Sequence, residues 1–116
     1  MKRKIRKTHQ ELLEILAHAW ETLDASELLK YIRNNFKYDS QWVFRTMYSD
    51  EYRTYIVKKF QTIRQSGSEI KVSIVKDNAS AFDNNMIKLV QNKNHVAYLR
   101  IKNKKGKISK MDMCMF

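Results

Sequence analysis

A chain of 116 residues with 43% hydrophobic and 30% charged residues has room for one domain with a real core and none for a second. Its single cysteine, Cys114, excludes an intrachain disulfide, and no run approaches the ~18 apolar residues that a membrane span needs. The net charge of +11 is uneven: residues 1–10 carry five Lys or Arg and no acid, residues 11–66 carry eight of each, and residues 67–116 carry ten against four.

An excess divided between an N-terminal tail and a late segment fits solvated ends better than one phosphate-reading face, so nucleic acid is not an expected partner. The tail (Lys2, Arg3, Lys4, Arg6, Lys7) is followed by a mixed helix rather than an apolar stretch, which argues against a secretory leader and a membrane partner. With a lone cysteine that permits a reducing compartment, a cytoplasmic location is expected. Residues 1–7 read as a basic tail and 8–116 as one domain.

Thr8 and Glu11 form a capping-box pattern, and Leu12, Leu13, Leu16, Ala19, Trp20 and Leu23 then recur at three and four, predicting a helix to about residue 23. Asp24 with Glu27 repeats the pattern, with Leu28, Leu29, Tyr31 and Ile32 facing inward until Asn34–Asn35, so a second helix is predicted there. In Phe36–Phe44 the aromatics at 36, 38, 42 and 44 fall at even spacings, predicting a strand. A third helix opens at Ser49 and Asp50, buries Tyr52, Ile56, Phe60 and Ile63, and ends at Gly67 in a left-handed cap.

Beyond Gly67 the pattern alternates. Ile70, Val72 and Ile74 share a face; Met86–Gln91 and His95–Lys102 read as strands around an Asn92–Lys93–Asn94 turn. Lys104–Lys105–Gly106–Lys107 reads as a tight hairpin with Gly106 at positive φ, leading into a last strand, Ile108–Phe116. Helices first and strands afterwards imply an α+β domain, with three helices packed on one face of an antiparallel sheet.

The helix pair ending in Asp24–Ala25–Ser26–Glu27–Leu28, the strand Phe36–Lys37–Tyr38–Asp39–Ser40, the helix Ser49–Gly67 and the terminal hairpin Gly106–Lys107–Ile108 running out to Phe116 stand in an order that resembles the nuclear transport factor 2-like superfamily. That group includes SnoaL-like and ketosteroid-isomerase-like proteins of cystatin-like fold. The resemblance implies a strongly curved sheet forming a cone around the helices, an apolar pocket at its open end, and a homodimer through the sheet. Trp20, Tyr38, Trp42, Phe44, Phe82, Tyr98, Met111 and Met113 are the positions that could line such a pocket and hold a small apolar ligand; for each, plain core or dimer interface is the alternative.

In the isomerase-like branch a carboxylate after the first short strand acts as general base, and the resemblance puts that position on Asp39. The helix-one tyrosine of that branch falls on or near Leu16, which cannot donate, and Asp112, the acid of the late strands, sits beside Lys110. Without donors aimed at developing charge, a lone carboxylate accelerates little, and a solvated turn residue is the other reading of Asp39. His9, His18 and His95 are not spaced as metal ligands, no Cys/His cluster exists, and no glycine-rich phosphate loop is present, so neither a metal nor a cofactor is expected. Three readings stay open: a small-molecule-binding domain, an isomerase- or cyclase-like enzyme using Asp39, and a protein-interaction or polyanion-binding module using its basic ends.

Overall fold

The computed structural model describes residues 6–40, 45–77 and 85–115. Helix α1 spans His9–Thr22 and opens with the full capping box: Glu11 N–H donates to Thr8 Oγ1 at 3.1 Å, and Thr8 N–H donates to Glu11 Oε1 at 3.1 Å. Helix α2 spans Ser49–Ser66 and ends as expected on Gly67 at φ 67°, where Ser68 N–H donates to the Ile63 carbonyl at 3.3 Å. Strands β1 (Ile32–Ser40), β2 (Met47–Tyr48), β3 (Ile70–Lys76), β4 (Asn85–Gln91), β5 (His95–Lys104) and β6 (Lys107–Met115) form one sheet in the order β2-β1-β6-β5-β4-β3.

The architecture is the expected α+β one, with two differences. The sheet is mixed rather than antiparallel throughout, because β1 and β6 run parallel while every other neighbouring pair is antiparallel. The predicted second helix is a single 3-10 turn, Leu28–Tyr31, after which the chain extends into β1. Asp24 spends its carboxylate on Ser26 N–H at 2.9 Å and on the Ser26 hydroxyl, a local turn that opens no helix. The Leu29 and Ile32 carbonyls, which a continuing helix would give to residues 33 and 36, instead accept from Arg53 Nη1 at 2.9 Å and Nη2 at 3.0 Å. Arg53 Nε also donates to Ser49 Oγ at 3.1 Å, so one guanidinium fastens the start of β1 to the first turn of α2.

Helix α1 packs across β3, β4 and β5, and α2 across β1 and β2. Between them and the sheet lies a continuous core that includes Leu12, Leu13, Leu16, Phe36, Tyr52, Ile56, Ile87, Leu99, Ile108 and Met111. Register shifts occur in the β1/β6 pairing between Ile32 and Lys37 and in the β5/β6 pairing between Lys102 and Asn103. Such bulges bend a sheet and increase its twist, as a sheet that curls over helices requires. The two short hairpin turns use left-handed backbone: Asn92 and Lys93 at φ 51° and 67°, and Lys105 and Gly106 at 53° and 76°.

Candidate functional site

A cavity of about 500 Å³ opens between the two helices and the far half of the sheet. Trp20 reaches it from α1, Tyr55 and Lys59 from α2, Ile70 from β3, Leu89 and Gln91 from β4, Asn92 from the turn, His95 and Ala97 from β5, and Met113 from β6. The wall follows from periodicity. Tyr55 and Lys59 stand four apart on α2, beside the buried stripe of Tyr52, Ile56 and Phe60, and Ala97 and Leu89 lie directly opposite one another on the inward face of β4 and β5.

The apolar part of the wall is held rigidly. Trp20 meets Phe60 edge to face, with ring centroids 5.0 Å apart. Tyr38, Tyr52 and Tyr55 form a tyrosine cluster behind and beside the cavity, with Tyr38 centroids 4.9 Å from Tyr52 and 5.8 Å from Tyr55. The Tyr38 hydroxyl reaches Met113 Sδ at 3.6 Å and the Tyr52 hydroxyl reaches Met111 Sδ at 3.5 Å, both weak acceptors. Burial raises the Tyr38 phenol well above its ordinary range, with the Tyr55 hydroxyl adding to the shift and Ser40 opposing it. Burial also raises Tyr52 and Tyr55. All three stay protonated at neutral pH and present donors.

The polar part of the wall is donor-rich. No Asp or Glu stands among the described residues that line the cavity. Lys59 is half-buried and has no ion pair or hydrogen bond among the described residues. The Trp20 indole Nε1 is buried with no acceptor. Lys59 suits an oxygen acceptor supplied from outside the chain, whereas the Trp20 indole N–H is closed off from one by its burial.

Of the residues that the sequence singled out, Trp20 and Met113 line this cavity, while Tyr38 and Met111 are buried one layer behind it. Tyr98 is not on its wall: in β5 it alternates with the buried Ala97 and Leu99 and therefore stands on the outer face, opposite Lys88 and Cys114. Trp42, Phe44 and Phe82 lie outside the described residues. Asp39 alternates with the buried Tyr38, is 43% exposed, accepts from Thr46 Oγ1 at 2.6 Å and lies 3.9 Å from Lys110 Nζ, and it does not line this cavity. Lys110 is also 3.8 Å from Asp112, the pairing that the sequence suggested. Leu16 is fully buried core.

Tyr55, Lys59, Ile70, Leu89, Gln91, Asn92, His95 and Ala97 line the wall without having been singled out for it from the sequence. Tyr55 and Lys59 were detectable as the positions flanking the apolar stripe of α2; the place of His95 and Ala97 depends on how far β5 extends beneath α1, which no local pattern encodes.

No family model matches the chain, and no curated protein matches it either. Solved structures do. A SnoaL-like protein of unknown function from Burkholderia thailandensis superposes with a TM-score of 0.71 at 12% identity, covering 97% of this chain and 99% of that one. A nuclear transport factor 2-like protein of unknown function from Cytophaga hutchinsonii gives 0.64 at 16% identity, covering 98% and 95%. An epoxide hydrolase from M. tuberculosis gives 0.62 at 13% identity, covering 93% and 82%.

Proposed function

We propose that this chain, which has the nuclear transport factor 2-like fold that the similar structures carry both with and without a described activity, is a small-molecule-binding domain whose ligand has a mostly apolar body and an oxygen acceptor, best a carboxylate. The observation that carries this reading is the wall of the cavity: Trp20, Leu89, Ala97 and Met113 offer an apolar bed, while the unpaired Lys59 is the one charged side chain among the described residues lining it. A volume of about 500 Å³ is within the range that takes one drug-sized molecule.

Asp39 has no role in this proposal, because it lies off the cavity wall and is occupied by Thr46 and Lys110. The outer sheet face, where Tyr98 and Cys114 pair across β5 and β6, is the surface through which a homodimer is proposed, to be read directly by sedimentation.

Calorimetric titration with a series of arylalkyl carboxylic acids and their matching primary amines tests the proposal. Acids should bind one per chain and amines should not. Lys59→Gln should weaken the acids by about tenfold, the loss of one charge-assisted bond, and Ala97→Phe, which fills the cavity, should abolish binding with the circular dichroism spectrum retained. Equal binding of acids and amines, or full affinity in Ala97→Phe, refutes it.

A further inference from the structure

The two basic ends that the sequence keeps apart are brought together by the fold. The backbone of residues 6–7 crosses directly over the β5–β6 hairpin: a Cβ placed on Gly106 would lie 2.8 Å from Arg6 Cβ and 3.1 Å from Lys7 N. His9 Nδ1 meets Asn103 Oδ1 at 3.2 Å, and Arg33 Nη1 donates to the Lys104 carbonyl at 3.0 Å, which ties α1 and β1 to the same hairpin. Arg6, Arg33, Lys102, Lys104, Lys105 and Lys107 are thus gathered at one end of the molecule, and none has an acidic partner among the described residues. The nearby acids Glu11, Glu14 and Glu27 gather with Lys7 beside α1 instead, where Lys7 pairs with Glu11 at 3.8 Å. Lys2, Arg3 and Lys4 stand two to four positions before Arg6 in the sequence.

Six cations without acidic partners at one end of the molecule repel each other, and an incoming polyanion relieves that repulsion while releasing its own counterions. The packing of Arg6 over Gly106 joins the two distant segments between which the positive charge is split. We propose that this end of the molecule is a docking surface for the phosphate backbone of a nucleic acid, bound without base readout. Lysines predominate, and lysine meets phosphate as a point charge where base recognition favours the arginine fork. A bilayer is the weaker fit: the large apolar side chains exposed among the described residues are Tyr48 and Val57, neither in the patch, so it offers no anchor to insert.

Fluorescence anisotropy with the full chain and a labelled 20-base-pair duplex, over a salt series, tests this surface independently of the cavity. The expected result is a linear fall of log affinity with log salt, with a slope of about −4 to −5, as about five neutralised phosphates give, and equal affinity for AT-only and mixed sequences. Lys104→Glu/Lys105→Glu/Lys107→Glu should weaken binding at least 100-fold. The neutral Lys104→Gln/Lys105→Gln/Lys107→Gln should weaken it about tenfold and guards against a fold lost to charge reversal. An equal charge change at the exposed Lys58, Lys71 and Lys93, the last at the far end of β5, should leave most of the affinity. A flat salt response, equal losses in the patch and control variants, or tighter binding to phosphatidylserine vesicles or polyglutamate than to the duplex overturns the proposal.

Discussion

Arg53→Met removes three donors from the join between β1 and α2 while keeping the apolar stem of the side chain. The wild-type guanidinium donates to the Leu29 carbonyl at 2.9 Å, the Ile32 carbonyl at 3.0 Å and Ser49 Oγ at 3.1 Å. These three acceptors differ in what replaces the lost donor. Leu29 is half-buried and water can reach its neighbourhood, and the Ser49 hydroxyl can turn. Ile32 is buried, and its carbonyl is left stranded where the chain passes from the 3-10 turn into β1. A stranded buried acceptor costs about 1–3 kcal/mol, and two further charge-assisted bonds partly replaced by water add about 1 kcal/mol more, so the expected loss is about 2–4 kcal/mol. Urea unfolding followed by far-UV circular dichroism measures it, with an unchanged slope showing that the denatured state is not the cause. Arg53→Lys should recover only part of the loss, because an ammonium cannot span three acceptors as the fork does. A loss below about 0.5 kcal/mol for Arg53→Met, or a lysine variant as stable as the wild type, would refute the account of why the chain leaves the helix at Leu28–Tyr31.

Gly106→Ala should destabilise more than Gly67→Ala in the same urea assay: both sites have positive φ, worth about 1–2 kcal/mol against a side chain, but only at Gly106 would the new methyl collide with Arg6. Thr8→Ala should cost about 1 kcal/mol by opening the capping box of α1, and Glu11→Gln should cost less because an amide oxygen still accepts from Thr8 N–H. Alkaline titration followed by phenolate absorbance should find Tyr38, Tyr52 and Tyr55 ionising late, above the ordinary phenol range. Because burial raises these three phenols in the folded state, the unfolded chain releases their protons first, so stability is level below pH ~10 and falls as pH rises past it. Ionisation of these three phenols in the ordinary range without unfolding would contradict that packing. Asp39→Asn should leave ligand affinity in the cavity unchanged, measured by calorimetry, since that side chain lies off the wall.

Most of the fold was legible because its signals are local. The Thr8–Glu11 box, the stripe of Tyr52, Ile56, Phe60 and Ile63, and the Lys105–Gly106 turn each declare an element from a handful of residues, and each stands as read. The second helix failed because its apolar spacing at Leu28, Leu29, Tyr31 and Ile32 is genuine, yet Arg53, more than twenty residues away, takes the carbonyls that a helix would use. The parallel pairing of β1 with β6 is likewise a long-range fact: Tyr38 lies beside Met111 across 73 residues of chain, and no alternation within either strand fixes its direction. Of the residues that the sequence offered for a pocket, Trp20 and Met113 stand on the cavity wall, whereas Tyr98 stands on the outer face of β5, because one strand position moves a side chain to the opposite face of the sheet. Convergence of the two basic ends was invisible for the same reason as the strand pairing, since it depends on Arg6 crossing a hairpin a hundred residues later.

The central claim is that an occupiable space lies between α1, α2 and the inner face of β3–β6, and nuclear magnetic resonance tests it most directly. On titration with an arylalkyl carboxylate, the Trp20 indole N–H, identified by its loss in Trp20→Phe, and the Met113 methyl should shift together and saturate at one ligand per chain, while Tyr98 and Lys88 on the outer face stay still. Shifts confined to the outer face, or a Trp20 resonance unmoved while the ligand binds elsewhere, would contradict it.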